Sequence, residues 1–306
     1  MKRMKLQAGF GGLRSGDKYH ILAFLFPLLS LFVFGGIIPI IYSFIISLSQ
    51  YKLNVSTQMR FIGLDNYVEM FSDPVFLGSI WKTLYYSVLM ITLSMFFGLM
   101  IALVVNRNFI GKGIFMIVLL LPWAIPKAAS GIMWKWILEP SFGIFNMLLM
   151  SFGLIHEKVY WFNIDAITAI NFVIFVDVWK STPFVVVMLL AALKAVPKEL
   201  YESAKCDGAN YVQSLFFITL PRIKFTLVMV MMLQSIWALK IFDLLYVLTP
   251  DGGVNDMTTL VYMYVYKQAF KFMNIGYGTA IAYFMTFIIM LIAILYVKII
   301  LKEERP

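Results

Sequence analysis

Residues Tyr19–Tyr51 read YHILAFLFPLLSLFVFGGIIPIIYSFIISLSQY, 33 residues without an Asp, Glu, Lys or Arg. A helix that crosses the hydrocarbon core of a bilayer needs about 20 mostly apolar residues. The apolar core of a secretory signal has only about 7–15. The stretch is therefore read as a membrane span, within Ile21–Leu48, and not as a leader. Composition extends that reading to the whole chain. Of 306 residues, 61% are hydrophobic and 13% charged, against about 25% charged in a soluble domain. A mostly wet outer surface is excluded, and with it a soluble enzyme or a disordered or fibrous protein. In lipid every backbone polar group must be satisfied internally, so an all-α integral membrane protein is expected.

Five further segments are long and apolar enough to span: Thr83–Val105, Ile114–Trp134 (interrupted by Lys127), Ala166–Leu193 (with Asp177 and Lys180), Phe225–Leu248 (with Lys240 and Asp243) and Asn274–Val297. Together with the first they make six spans in a single transmembrane domain over 21–306, after an N-terminal segment 1–20. Fifteen of the 25 basic residues then fall on one side, seven on the other and three within spans. The positive-inside rule places the richer side, with both termini, in the cytoplasm. The net charge of +9 thus marks cytoplasmic loops and not a nucleic-acid surface. Trp81, Trp134, Trp136 and Trp161 fall near outer span ends, where an aromatic belt is expected. Gly98, Gly131, Gly276 and Gly278 are expected to allow close helix contacts. Cys206 stands alone, so no intrachain disulfide forms. His20 and His156 are isolated, so no metal site is expected.

The cytoplasmic connection Lys194–Lys224 is 31 residues long and reads as structured. Pro197 suits the first turn of a helix, and Glu199 and Glu202 follow near its positive end. Leu200, Tyr201 and Ala204 give it an apolar face, and Gly208 suits a left-handed terminus. A second short helix is expected over Asn210–Leu220, starting on an N-cap residue and stopped by Pro221. The apolar side of such a pair needs a cover. Physics alone leaves two readings open: a docking partner, or a membrane-surface connector between two spans.

Glu202-Ser203-Ala204, three residues, Gly208, nine residues and Ile218-Thr219-Leu220-Pro221 resemble the EAA motif of ABC importer permeases, with Ser203 in place of an alanine. Phe61–Tyr67, Leu121–Pro126, Trp179–Phe184, Leu193–Pro197 and Leu248–Gly253 resemble stretches of the carbohydrate-type branch, similar to the permeases of maltose, lactose and glycerol-phosphate importers. The resemblance covers nearly the whole chain. It implies a type I ABC importer permease fold in a bacterial cytoplasmic membrane, with no catalytic residue of its own. It also implies a second related permease, two cytoplasmic ATPase subunits and an extracytoplasmic solute-binding protein. ATP and Mg would be bound by the ATPases, since the chain has no G-x-x-x-x-G-K-[ST] run. Glu202, Ser203, Ala204, Asp207, Gly208, Ile218, Leu220 and Pro221 would form the ATPase-coupling loop, with Glu202 meeting a basic group and Gly208 allowing the bend. A membrane enzyme would instead need carboxylates or histidines clustered at one membrane face. A self-sufficient channel or secondary transporter would need internal repeats.

Charges inside spans are costly in lipid and so point to function or to pairing. Asp177 and Lys180 lie three apart and are expected to share a helix face and pair, as are Lys240 and Asp243. The resemblance places Asp177, Ser181 and Phe184, with Gln234, Ala238 and Ile241 of the fifth span, along the substrate pathway. Lys180 suits an acidic, uronate-containing saccharide or a sugar phosphate. Its expected neutralisation by Asp177 favours a neutral sugar. Lys127 has no partner in sequence, and either the partner permease or a water-filled cavity would suit it.

Overall fold

The computed structural model describes residues 15–303, with side chains from Phe24 to Leu301. Lys2, Arg3, Lys5, Arg14 and Arg305, part of the expected cytoplasmic charge, lie outside the described residues, as do the side chains of Lys18, His20 and Lys302.

The first span comprises α1 (Ser15–Phe32) and α2 (Ile38–Ser47), joined through a π-helical turn at Val33–Ile37. Its outer end packs on the last helix, where the Ser43 hydroxyl meets Tyr283 at 2.8 Å. A short antiparallel ribbon, β1 (Ser49–Gln50) with β2 (Arg60–Phe61), and α3 (Asp65–Met70) then lie outside. The second span, α4 (Pro74–Asn106), is 33 residues long and starts nine residues before the expected Thr83. The cause is Asp73, which accepts the N–H groups of Val75 and Phe76 at 2.9 and 3.2 Å ahead of a first-turn proline. Burial pushes the Asp73 carboxyl up, but hydroxyls donated by Tyr264 (2.5 Å) and Tyr277 (2.7 Å) and these two N–H groups outweigh it. The group is held below the usual carboxylate range.

The third span is not one helix. Helices α5 (Lys112–Ala124) and α6 (Lys127–Ile137) are bent by 100° at Ile125–Pro126. Pro126 removes a donor and confines the preceding residue to extended backbone; Ile125 has ψ 136°. After α7 (Ile144–Ser151), the fourth span α8 (Ala166–Lys194) starts on Asp165, whose carboxylate caps Thr168 N–H at 2.9 Å. Then follow α9 (Lys198–Cys206), α10 (Tyr211–Ser214) and α11 (Leu220–Leu239). The fifth span therefore runs from Tyr211 to Leu239, not Phe225–Leu248. Pro221 does not stop the second cytoplasmic helix as expected. A π-helical turn at Leu215–Thr219 precedes it, and the proline stands in the first turn of α11, so the helix passes through without a break. Beyond Leu239 the chain turns at Lys240–Phe242 and resumes as α12 (Asp243–Leu248). An outer loop leads to α13 (Val261–Tyr266) and the sixth span α14 (Ile275–Glu303). Five unbroken helices and the bent α5–α6 pair occupy the six expected spans.

The core lies between α4, α8 and α11, where α8 is two-thirds buried. Glycines set the close approaches. A β-carbon at Gly98 would fall 2.7 Å from Val185 Cβ, and one at Gly131 would lie 3.0 Å from Val247 of α12. Gly276 faces the Ser49 carbonyl and Gly278 lies against Ala269. The expected tryptophan belt divides. Trp81 and Trp136 are exposed. Trp134 packs instead on Trp179 and Phe175, at 5.5 and 5.2 Å, and Trp161 on Phe145 and Phe172, at 5.2 and 5.0 Å. Side chains from other elements reach those two rings, so they sit in the protein and not in the interface.

Gly98→Ala should therefore force α4 from α8 and cost about 1–3 kcal/mol, the range for overpacking. Gly78 of the same helix has open space around it, so Gly78→Ala should be neutral or stabilising. Unfolding midpoints of the two variants in detergent test the difference.

Candidate functional site

The break in the third span leaves carbonyls of the last α5 turn without helical donors, and hydrocarbon offers none. Lys180 supplies them. Its ammonium donates to Pro122 O at 3.2 Å, to Trp123 O at 3.5 Å and to Ile125 O. A cation at a helix C-terminus is also favoured by the helix dipole. Lys180, only 5% exposed, thus caps a helix.

Asp177 is wholly buried. It accepts the Tyr86 hydroxyl of α4 at 2.5 Å and the Ser181 hydroxyl at 3.3 Å. Its cationic partner is Lys127 at the start of α6, 3.9 Å away. The expected Asp177–Lys180 pair is therefore replaced by two separate attachments. Asp177 and Lys180 do share a face of α8, but α4, α5 and α6 bring better-placed groups to each. The expected Lys240–Asp243 pair does not form either. Lys240 ends the fifth span and Asp243 begins α12, so they no longer stand one turn apart on a single helix.

These interruptions enclose a cleft of ≈ 450 Å³ between the α5–α6 break, α8, the end of α11 and the start of α12. Lys127, Lys180, Ser181 and Phe184 line it, as do Lys240 and Asp243. Phe184 is the centre of an aromatic shelf, with Trp237 at 4.9 Å and Trp123 at 6.0 Å between ring centroids. Gln234, Ala238 and Ile241 do not line this cleft. They are buried, Ala238 and Ile241 in a cluster with Tyr86, Ile174 and Leu244, and the Gln234 amide has no hydrogen-bond partner among the described residues. The adjoining face of the fifth span, bearing Trp237 and Lys240, is the one that reaches the cleft. Trp123 was inside a quoted motif, and Trp237 lies one turn from Gln234. Tyr86, in an apolar run, carried no sequence signal for its bond to Asp177.

The shelf offers apolar ring faces. Around it stand ammonium donors, a hydroxyl and the Asp243 carboxylate as acceptor. That combination suits a hydroxylated ring, with CH faces stacked and hydroxyls hydrogen-bonded.

At the cytoplasmic end, α9 closes on Gly208, with φ +80°. Ala209 N–H donates to Ala204 O at 2.9 Å and Gly208 N–H to Lys205 O at 3.0 Å, the double bond of a Schellman terminus. Asn210 and Gln213 then cap each other's backbone N–H groups and start α10. The Tyr201 hydroxyl meets Thr219 Oγ1 at 3.0 Å, and the Arg107 guanidinium covers the Tyr211 ring at 5.0 Å. The apolar side of α9 is not left open. Leu200 and Tyr201, with Leu220, pack on the core of Ala102, Val185, Leu189 and Ile223, and Ala204 is buried. Glu202, Ser203, Asp207 and Gly208 are exposed, as is Pro221, while Ile218 and Leu220 are half-buried. The turn at the end of α9 therefore presents the Glu202 and Asp207 carboxylates beside the equally exposed Lys198 and Lys205.

The family model described as "Binding-protein-dependent transport system inner membrane component" matches residues 94–302. The chain is 34% identical over 294 residues to the sulfoquinovosyl glycerol transport system permease protein of Agrobacterium fabrum, covering 94% of this chain and 92% of that one. It is 35% identical over 277 residues to the trehalose/maltose transport system permease protein of Thermococcus litoralis, covering 89% and 90%. Its fold is similar to a chain of a bacterial ABC transporter involved in import of the acidic polysaccharide alginate, with a TM-score of 0.81 at 22% identity over 95% of this chain and 98% of that one.

Lys180→Met should strip the broken helix of its donor and cost about 1–3 kcal/mol, as for buried acceptors left unpaired. Lys240→Met, at an exposed position, should leave stability within about 0.5 kcal/mol. Thermal unfolding of both in detergent measures this, and equal midpoints would show that Lys180 does not hold the break.

Proposed function

The chain belongs to the family of binding-protein-dependent transport system inner membrane components, and on that premise we propose that it is the permease subunit of an ATP-driven importer of a sugar or oligosaccharide. The observation that carries the substrate class is the Trp123–Phe184–Trp237 shelf with donors and an acceptor at its rim. The named cargoes of the two relatives, sulfoquinovosyl glycerol and trehalose or maltose, support it. A second related permease completes the pathway. Two cytoplasmic ATPases bind ATP and Mg, and this chain needs no cofactor. A solute-binding protein delivers the substrate from outside.

In this reading the exposed Glu202, Ser203 and Asp207 meet a basic surface of the ATPase. The Gly208 terminus fixes the angle between α9 and α10. Because α10 runs into the fifth span without a break, displacement of the loop is carried along one helix to Trp237 at the cleft.

An acidic saccharide is the second reading, and one observation favours it. Three ammonium groups, Lys127, Lys180 and Lys240, line the cleft against a single lining carboxylate, Asp243, and Lys240 makes no ion pair among the described residues. Asp177 offsets Lys127 from behind.

Uptake of maltose, trehalose, sulfoquinovosyl glycerol and an alginate oligosaccharide by cells carrying the whole importer tests both readings. Uptake of at least one, lost with the ATPase, is expected. An assembly that transports without any ATPase would overturn the proposal. Lys240→Gln should weaken uptake of the acidic probes by about tenfold and spare the neutral ones if charge recognition operates. Gly208→Val should abolish uptake at unchanged membrane levels, because a β-branched residue does not tolerate the left-handed backbone there. Normal uptake would refute the coupling role.

A further inference from the structure

A second cleft, ≈ 270 Å³, opens on the outer side. Lys135 from the last turn of α6, Glu139 just beyond it, Leu248 from the far end of α12, and Tyr160, Trp161 and Asn163 line it. Its chemistry repeats the aromatic rings, ammonium and carboxylate of the transmembrane cleft, with the Asn163 amide in place of the Ser181 hydroxyl. Lys135, in the last turn of α6, and Glu139, just past its C-cap, make no ion pair with each other, so both remain available. The Trp161 indole N–H has no acceptor among the described residues.

The two clefts are joined by structure. Helix α6 has Lys127 in one and Lys135 in the other, about 12 Å apart along the axis at 1.5 Å per residue. Helix α12 runs likewise from Asp243 to Leu248, and the two helices meet at Gly131, with Val247 against it. The outer cleft is also held firmly. Trp161 is fixed between Phe145 and Phe172. Asn146 donates to Val159 O at 3.0 Å, and Lys158 to Ser141 O at 3.0 Å. Asn163 N–H closes a turn on Tyr160 O at 2.8 Å.

We propose that this outer cleft is a second saccharide subsite, which holds the third sugar unit of a chain whose leading unit lies on the Phe184 shelf and whose second unit bridges the about 12 Å between them. The proposal rests on the saccharide reading above and deepens it: the substrate is an oligosaccharide of at least three units. A ring stacked on Tyr160 donates hydroxyl hydrogen bonds to Glu139 and accepts hydrogen bonds from Lys135, Asn163 and the Trp161 indole.

Saturation-transfer NMR on the full chain in lipid nanodiscs tests it, with maltose and maltotriose as neutral probes and di- and trigalacturonate as acidic ones. The trisaccharide of one series should bind about tenfold more tightly than its disaccharide, as one added stacked ring allows. Tyr160→Ala, at an exposed position, should collapse that ratio. Trp161→Phe, which keeps the packed ring and removes only the N–H, should reduce it. Phe184→Ala should weaken di- and trisaccharide alike. A trisaccharide no tighter than its disaccharide, or a ratio untouched by Tyr160→Ala, would overturn the outer subsite while the Phe184 effect leaves the transmembrane reading standing. Failure of every probe to bind would overturn both.

Discussion

Opening a helix in the middle of a membrane exposes carbonyls that hydrocarbon cannot solvate, and the capping of α5 by Lys180 resolves this in the third span. The Pro126 break is tolerable because an ammonium reaches the three carbonyls it frees. That ammonium is tolerable in turn because it is fully engaged. Once the break is stable, α6 leaves the line of α5 by 100° and lies against α12. The Lys127–Asp177–Tyr86 chain then ties the start of α6 to α8 and α4. The cleft is the space these departures leave. A straight third span would put Trp123, Lys127 and Phe184 on a filled helix seam.

The opposite end of the molecule follows the opposite rule. There a proline sits where a break would be expected, and the helix does not break. The π-turn at Leu215–Thr219 shifts the hydrogen-bond register ahead of Pro221, with Leu220 N–H donating to Leu215 O, so the proline follows a widened turn and the helix continues past it. The result is 29 continuous residues from Tyr211 to Leu239, about 43 Å of helix. One proline makes a hinge beside the cleft and another is absorbed beside the cytoplasmic loop. That difference makes the fifth span suitable as a rod and the third suitable as a wall.

Features that depend on one segment at a time were legible in the sequence. The apolar runs, the left-handed Gly208, the Asn210 cap and the four close-packing glycines all follow from local composition and backbone sterics. Features that depend on what a second segment brings were not. Spacing showed that Asp177 and Lys180 share a face. It could not show that Tyr86 and Lys127 would claim the first, and the carbonyls of α5 the second. The apolar side of α9 looked unpartnered because its cover, Ala102, Val185 and Ile223, comes from three other helices. In the fifth span the pathway residues carried over by resemblance, Gln234, Ala238 and Ile241, lie on the buried face. A single residue of register, which sequence periodicity does not fix in a helix apolar all round, separates Ala238 from Trp237 and Ile241 from Lys240.

Charge inside the membrane is then accounted for nearly group by group, and the remainder is informative. Asp177 has a hydroxyl and an ammonium, Lys180 has carbonyls, and Lys127 has Asp177. Each is explained by holding the fold, so none needs a ligand to justify its cost in lipid. Lys240 and Asp243 are different. The turn at Lys240–Phe242 separates two groups that a continuous helix would have paired, and it leaves both exposed on the rim of the aromatic shelf. The interruption that deprives them of each other also frees a donor and an acceptor at the same edge of one cleft. Recognition therefore belongs to the groups the fold does not consume. By that criterion Lys240, Asp243 and the three rings are the groups of the cleft left open to a ligand, while Asp177, Lys180 and Lys127 hold the helices that form it.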